Sequence, residues 1–294
     1  MINIDLQLAD YITERGLQRA VELALEEDLG RGDVTSNHFV QTGVRARALL
    51  RSRSSGVIAG IDVAARAFNT VDQRTDFAAM IQDGDAVTCD QPLVVISGDA
   101  RSLLRAERVA LNFLQRLSGI ATLTSRYVAA VRGTRARIVD TRKTTPGLRA
   151  LEKYAVRAGG GFNHRRDLSD AVMIKDNHLA LIAARGISLA EAVRQARESL
   201  PHTLKIEIEV DRLEQIQAVL AAGADIILLD NMSVDDLKRA VAMIDSRALI
   251  EASGGVNLDT VSGIAAAGVD VISVGALTHS APALDIGLDF EIER

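Results

Sequence analysis

Between Asp140 and His178 the chain gathers cations, imidazoles and glycines: D-T-R-K-T-T-P-G-L-R at Asp140–Arg149, A-G-G-G-F-N-H-R-R at Ala158–Arg166 and M-I-K-D-N-H at Met173–His178. Arg142, Lys143, Arg165 and Lys175 stand beside short apolar runs, where strands would end. A hydrophobic core gains nothing from such charges, but a site that holds several negative charges needs them. Arginine grips a carboxylate or phosphate with a two-pronged fork, and lysine acts as a mobile point charge. His164 adds a donor or a switchable proton. The Gly159–Gly161 run predicts a flexible loop able to close over a ligand. Arg149, Arg157 and Arg166 read better as solvated surface charges, and residue type alone makes no stronger case for Arg165.

Acids and glycines recur further on. Glu207 and Glu209 lie two apart on a candidate strand and therefore point the same way. Inward-facing acids are costly unless paired with cations or a metal. With Asp230, Glu209 offers hard oxygens to Mg²⁺ or to ribose hydroxyls; a structural ion pair is the competing reading. Ser253-Gly254-Gly255 and Gly275-Ala276 could bring backbone N–H groups close to a phosphate. Either motif alone could be a tight turn, but two in successive units favour phosphate. Cys89 reads as a small buried residue, Asp83 and Asp85 as turn formers, and His38, His202 and His279 as surface or structural.

These groups need a frame. Helical spacing runs through residues 5–29, with Leu17, Ala20, Val21 and Ala24 on one face. Residues 44–61 alternate like a strand, Asp83-Gly84-Asp85 makes a turn, and Leu93–Ile96 is a further strand. Leu103–Leu117 predicts an apolar helix buried on more than one side. Strands then alternate with helices. The strands are Ala136–Asp140, Ala171–Lys175, Lys205–Val210, Asp225–Leu229, Ala248–Glu251 and Val269–Val274. The helices are Leu189–Ser199, Leu213–Ala222, Val234–Met243 and Leu258–Ala267. A-A-G-A-D-I-I-L-L-D from Ala221 is echoed by A-A-G-V-D-V-I-S-V-G from Ala266: helix end, glycine cap, buried strand. Alternating β and α predicts a parallel sheet, and the number of units favours an incomplete TIM-like barrel over an open sheet. Nearly every one of these strands ends in a polar or glycine group, and strand ends are where such barrels work.

Bulk properties exclude other classes. The 294 residues are 48% hydrophobic, enough for one large domain or one plus a smaller partner. A net charge of −5 argues against nucleic acid, so the basic cluster is local and suits a small anion. One cysteine excludes an intrachain disulfide and a cysteine-rich metal site. The N-terminus lacks a signal-peptide pattern and no apolar run is long enough for a membrane span, so a cytoplasmic protein is expected. No P-loop, zinc spacing or Ser-His-Asp pattern stands out. Transfer of a phosphorylated sugar to an anionic acceptor fits best. A non-catalytic phosphosugar-binding barrel and a barrel aldolase or isomerase are the rivals.

The motifs, taken in order, resemble the quinolinate phosphoribosyltransferases. E-E-D-L-G-R-G-D-V-T at Glu26–Thr35 and L-L-R-A-E-R-V-A-L-N-F-L-Q-R-L-S-G-I-A-T at Leu103–Thr122 precede the basic cluster. E-I-E-V, L-L-D-N-M, E-A-S-G-G-V and I-S-V-G-A-L-T-H-S follow it. The resemblance implies an N-terminal α/β sandwich (1–117, joined by the tail 277–294), an incomplete α/β barrel (118–276) and a head-to-tail homodimer. It implies coupling of quinolinate to 5-phosphoribosyl 1-pyrophosphate (PRPP), with Mg²⁺, release of pyrophosphate and CO₂, and formation of nicotinate mononucleotide for NAD. By motif position, Thr141, Arg142, Lys143, His164, Arg165 and Lys175 would meet the substrates' negative charges. Glu209 and Asp230 would hold ribose hydroxyls and metal, and Lys143, Glu209 and Asp230 would be catalytic. Ser253, Gly254 and Gly255 with Val274, Gly275 and Ala276 would bind the 5′-phosphate. Arg108 would enter the partner subunit's site. The D-D-x-x-T-T-G signature of the common phosphoribosyltransferases is absent, as this barrel class requires. An acceptor acid other than quinolinate is the alternative on the same scaffold.

Overall fold

The computed structural model describes residues 6–291. Residue 5 of the predicted first helix and the end of the tail, 292–294, lie outside the described residues. Contacts divide the chain into two compact units. The first takes residues up to Ser125, then Thr144–Gly160, then Leu277 onward; the second takes Arg126–Lys143 and Gly161–Ala276.

The chain opens with helix α1 (Glu14–Leu29), shorter than the spacing predicted because its cap is Thr13, whose hydroxyl accepts from Gly16 N. It buries Leu17, Val21 and Leu25 along one stripe. Helix α2 (Val34–Phe39) is capped by Asp33. Strand β1 (Arg45–Ser52) buries Ala46, Ala48 and Leu50 in the predicted alternation. After β2 (Gly56–Val57) come α3 (Ile61–Val71), β3 (Asp76–Ala79), β4 (Ala86–Val87) and β5 (Pro92–Asp99). Asp83 stands in the predicted turn and also accepts from Gly60 N, Ile61 N and the Tyr154 hydroxyl, which pins the start of α3. Cys89 is exposed rather than buried: it lies in the turn after β4 and reaches only the Arg53 carbonyl.

Helix α4 (Ala100–Ala130) runs far past the predicted stop at Leu117. Gly119 does not break it, because this glycine meets the returning tail: a Cβ there would overlap the Pro282 carbonyl. Strand β6 (Arg137–Val139) begins the second unit, and α5 (Arg149–Ala158) belongs to the first. The second unit continues with β7 (Val172–Ile174), α6 (Asp176–Ala184), α7 (Leu189–Ser199), β8 (Ile206–Val210) and α8 (Ile216–Ala221). Then come β9 (Ile226–Asp230), α9 (Val234–Ile244), β10 (Leu249–Ser253), α10 (Val261–Ala266) and β11 (Val271–Ser273). Short α11 (Ala276–His279) and β12 (Ile286–Glu291) close the described chain.

In the first unit β12, β1, β5 and β3 form an antiparallel sheet in that order. The tail is sewn in by β12 against β1 and by Gln115 Nε2 donating to the Ile286 carbonyl at 2.7 Å. In the second unit six parallel strands run in the order β6-β11-β10-β9-β8-β7, an incomplete barrel. No described helix is long and apolar enough to cross a membrane.

Candidate active site

The carboxyl ends of the parallel strands open on a cavity of about 540 Å³. Eleven of the residues picked from the sequence line it: Thr141, Arg142, Lys143, His164, Arg165, Lys175, Glu209, Asp230, Ser253, Gly254 and Gly255. Of the second glycine-bearing end only Ser273 does so; Val274 is buried, with its N–H donating to the Val139 carbonyl at 2.9 Å. Gly275 and Ala276 are half-buried. Arg108 is exposed on α4 in the first unit. His38, His202 and His279 are exposed. Arg166 is exposed as read, but Arg149 and Arg157 are half-buried in the first unit, where Arg149 Nε donates to Thr144 Oγ1.

The cationic wall is built from three short segments. After β6 the Lys143 amide donates to Thr141 Oγ1, turning the chain so that Lys143 is exposed at the cavity. Arg142 Nε is buried with no hydrogen-bond partner in the protein. An unsatisfied guanidinium N–H costs free energy that an incoming oxyanion returns. The Gly159–Gly161 run is packed at both ends, with Gly160 alone exposed among the three. Gly159 sits where a Cβ would strike the Ala121 carbonyl, and Gly161 is buried. Beyond it Phe162 bridges to Val139, through Phe162 N to the Ile138 carbonyl and Asp140 N to the Phe162 carbonyl. Asp140, fully buried, then accepts from Asn163 Nδ2 at 2.6 Å and His164 N at 2.9 Å. Burial and repulsion from Arg142 lower the Arg165 pKa, against the pull of Glu207. Arg165 donates to the Ala171 carbonyl, and Lys175 pairs with Glu209.

Glu207 and Glu209 do share a side of β8, but their partners differ. Glu207 and Glu251 each place an oxygen 3.3 Å from His164 Nε2. The Arg165 amide donates to His164 Nδ1 at 2.7 Å. Burial works to lower the His164 pKa, but the hydrogen bonds and charges of the two carboxylates outweigh it and push it up to about 10. Burial and the Glu251 charge also raise Glu207, against the hydrogen bond from His164. The Arg165 amide leaves Nδ1 as an acceptor, and the two carboxylates leave Nε2 as a donor. Such a ring has no lone pair to offer a metal at Nε2, so these three groups read as a hydrogen-bonded cluster.

Opposite the cations stand the hard-oxygen and glycine groups. Asp230 ends β9 in register with Ser253 of β10, and its carboxylate accepts from Asn231 Nδ2 at 2.7 Å. Asn231 has φ 54° and its N–H donates to the Ser253 carbonyl. Gly254 and Gly255 follow with φ of 87° and 61°, and a Cβ on Gly254 would overlap the Asn231 side chain. Only glycine adopts that turn without strain. Glu209 and Asp230, on adjacent strands and facing one cavity, fit Mg²⁺ by donor type, though a metal would share Glu209 with Lys175. Of the other lining residues, Asn231, Glu251 and Ser273 stand at strand ends in the sequence but are given no role there, and Met173 and Leu228 are not singled out. For Glu251 a signal existed: it lies two before Ser253 on one strand, hence on the same side.

Comparison with known proteins gives this arrangement a family. The profile "Quinolinate phosphoribosyl transferase, N-terminal domain" matches residues 33–118, and "Quinolinate phosphoribosyl transferase, C-terminal domain" matches 120–289. The chain belongs to the quinolinate phosphoribosyltransferase family. Its similarity to the nicotinate-nucleotide pyrophosphorylase [carboxylating] of Mycobacterium leprae is 46% identity over 275 residues, 92% of this chain and 95% of that one. A solved structure, NadC from Streptococcus pyogenes, superposes with a TM-score of 0.90 at 41% identity, covering 96% and 99% of the two chains. The nicotinate-nucleotide pyrophosphorylase from Francisella tularensis superposes at 0.88 with 36% identity, covering 95% and 98%. The α/β sandwich and incomplete barrel of this family are the fold expected from the sequence. The two family profiles meet inside α4, between residues 118 and 120.

Proposed function

We propose that this chain transfers the phosphoribosyl group of PRPP to quinolinate and releases pyrophosphate and CO₂, giving nicotinate mononucleotide in the cytoplasmic synthesis of NAD. The observation that carries this reading is the two-sided cavity. Arg142, Lys143, Arg165 and Lys175 line one part, with a buried Arg142 N–H awaiting an acceptor; Glu209, Asp230 and the Gly254–Gly255 turn line another. A dicarboxylate beside a phosphorylated sugar is complementary to both.

The chemistry follows from these positions. Arg142 and Arg165 fix the two carboxylates, with His164 beside them, so that the ring nitrogen faces the anomeric carbon. Glu209 and Asp230 hold the ribose hydroxyls, and they favour the positive charge that develops at that carbon. Ser253–Gly255 and Thr141, which line the cavity, serve the phosphates together with Val274–Ala276, which follow the lining Ser273 in the chain. The nitrogen lone pair forms the N–C bond as the C–O bond to pyrophosphate breaks, with Lys143 and Lys175 taking the departing charge. Mg²⁺ held near Glu209 and Asp230 would supply further positive charge to pyrophosphate. The ring is now cationic. It accepts the electron pair left when the 2-carboxylate departs as CO₂, and a proton then fills that carbon.

Carboxyl-labelled quinolinate should release CO₂ only when PRPP and Mg²⁺ are both present, and nicotinate should not replace it. PRPP binding without CO₂ release would favour a phosphosugar-binding barrel, and preference for another acid would favour a related transferase. Arg108, exposed on α4, completes the site of a second copy in a homodimer. Arg108→Ala and Lys143→Ala variants should each be inactive alone. After subunit exchange an equal mixture should regain about a quarter of wild-type turnover, because half the dimers then carry one intact site of two. Exchanged mixtures that regain nothing would remove Arg108 from that role.

A further inference from the structure

Three buried carboxylates that the chemistry above leaves unused converge on His164. Asp140 follows β6, Glu207 lies on β8 and Glu251 on β10, which are alternate strands in chain order through this barrel's β units. Alternate strands commonly supply one layer of inward side chains, and in barrels that layer is usually branched and apolar. Here it is ionic. Glu207 is 1% exposed and Glu251 3%, and one oxygen of each is buried with no hydrogen-bond partner in the protein. Two buried acids sharing one ring N–H stabilise a fold poorly, since well-packed apolar residues commonly do better. Their arrangement serves something else.

The hydrogen bonds show what. Nε2 is held by Glu207 and Glu251, Nδ1 receives the Arg165 amide, and the His164 amide is held by Asp140. Both ring nitrogens are engaged, so the ring cannot turn without releasing the next residue. Glu207 does not line the cavity; its reach to a ligand runs through His164 and Arg165. We propose that Glu207 and Glu251 are positioning residues: they grip the His164 ring from the barrel floor and so hold the Arg165 backbone in the pose from which its guanidinium receives the acid substrate. That the acid is quinolinate rests on the function proposed above, whereas the grip on Arg165 does not.

Glu207→Gln and Glu251→Gln keep size and an acceptor while removing the charge. In each variant the protein should melt no lower than wild type. The Arg165 amide should exchange its hydrogen about tenfold faster, and KM for quinolinate should rise about tenfold, as when an orienting partner is lost, with KM for PRPP within about twofold. His164→Ala should raise the quinolinate KM similarly, and adding Glu251→Gln to it should change nothing further, because both act through one ring. Unchanged Arg165 exchange in the folded variants, equal losses for both substrates, or multiplied losses in the double variant would each overturn the proposal. On the unaltered protein, ring ¹⁵N shifts should show Nε2 protonated, and an unprotonated Nε2 would overturn it without any variant. If wild type releases no CO₂ from quinolinate, the functional reading fails, while Arg165 exchange and the ring shifts still decide this one.

Discussion

Lys143→Ala should lower kcat/KM by about a thousandfold or more, the size of effect seen when a charge-stabilising donor is removed. The protein should fold and melt as wild type does. Lys143 is exposed at the cavity, and exposed positions away from cores and caps rarely change stability by more than about 0.5 kcal/mol. Its backbone is fixed independently of the side chain, through its amide to Thr141 Oγ1, so truncation leaves the segment in place. What is lost is a mobile positive charge beside Arg142 at the point where the proposed reaction sheds pyrophosphate. Lys143→Arg should recover only part of the rate, since a planar fork cannot follow a moving charge as an ammonium can. Steady-state kinetics with both substrates varied, alongside thermal unfolding, make the check. Near-normal turnover by a folded alanine variant would sink the catalytic assignment of Lys143.

The segment around Lys143 was readable because strand ends announce themselves. A short apolar run followed by Asp, Arg, Lys or Gly has few uses inside a protein, and eleven such residues meet on one cavity. The β8–β11 strands were placed within a few residues by their apolar residues: β9 is a plain apolar run, as in a parallel strand buried on both faces, while β8 alternates Ile206, Ile208 and Val210 with two acids. Helix α5 was not anticipated. Leu151, Tyr154, Ala155 and Ala158 do recur at helical spacing, but Arg149, Glu152, Lys153 and Arg157 stand among them, and the segment reads as part of the basic cluster. The length of α4 was hidden because Gly119 looks like a stop until Pro282 is seen against it. The packed Gly159–Gly161 run was mistaken for a lid because its neighbours, Ala121 and Thr124, lie far off in sequence. Glu207 and Glu251 were visible as acids, but their convergence on His164 depends on the spacing of β8 and β10 across the barrel. Local chemistry is thus legible in one chain, while pairings between distant segments need the fold.

Glu152→Ala should be the most destabilising of the substitutions considered, costing about 3 kcal/mol, the lower end of what a broken buried ion pair costs because Arg116 keeps partial exposure. Glu152 is fully buried on α5. Its Oε1 accepts from Arg116 Nη2 and Thr145 Oγ1, both at 2.7 Å, and its Oε2 accepts from Thr145 N at 3.0 Å. Arg116 in turn donates to the Thr278 and Ala281 carbonyls, tying the returning tail to α4. Removing the carboxylate therefore strands a guanidinium and frees Thr145, two residues beyond Lys143 in the chain. Glu152→Gln keeps an acceptor and the shape, so it should cost less than half as much. Urea unfolding should show a lower midpoint with an unchanged slope for both variants, the mark of a stability loss without a change in the unfolded chain. Activity separates the two consequences. Under conditions where Glu152→Gln is fully folded, its kcat should still fall, because Thr145 is held less firmly where the Lys143 segment leaves the barrel. A folded Glu152→Gln with wild-type kcat would confine Glu152 to stability, and an alanine variant as stable as wild type would show that Arg116 finds other partners.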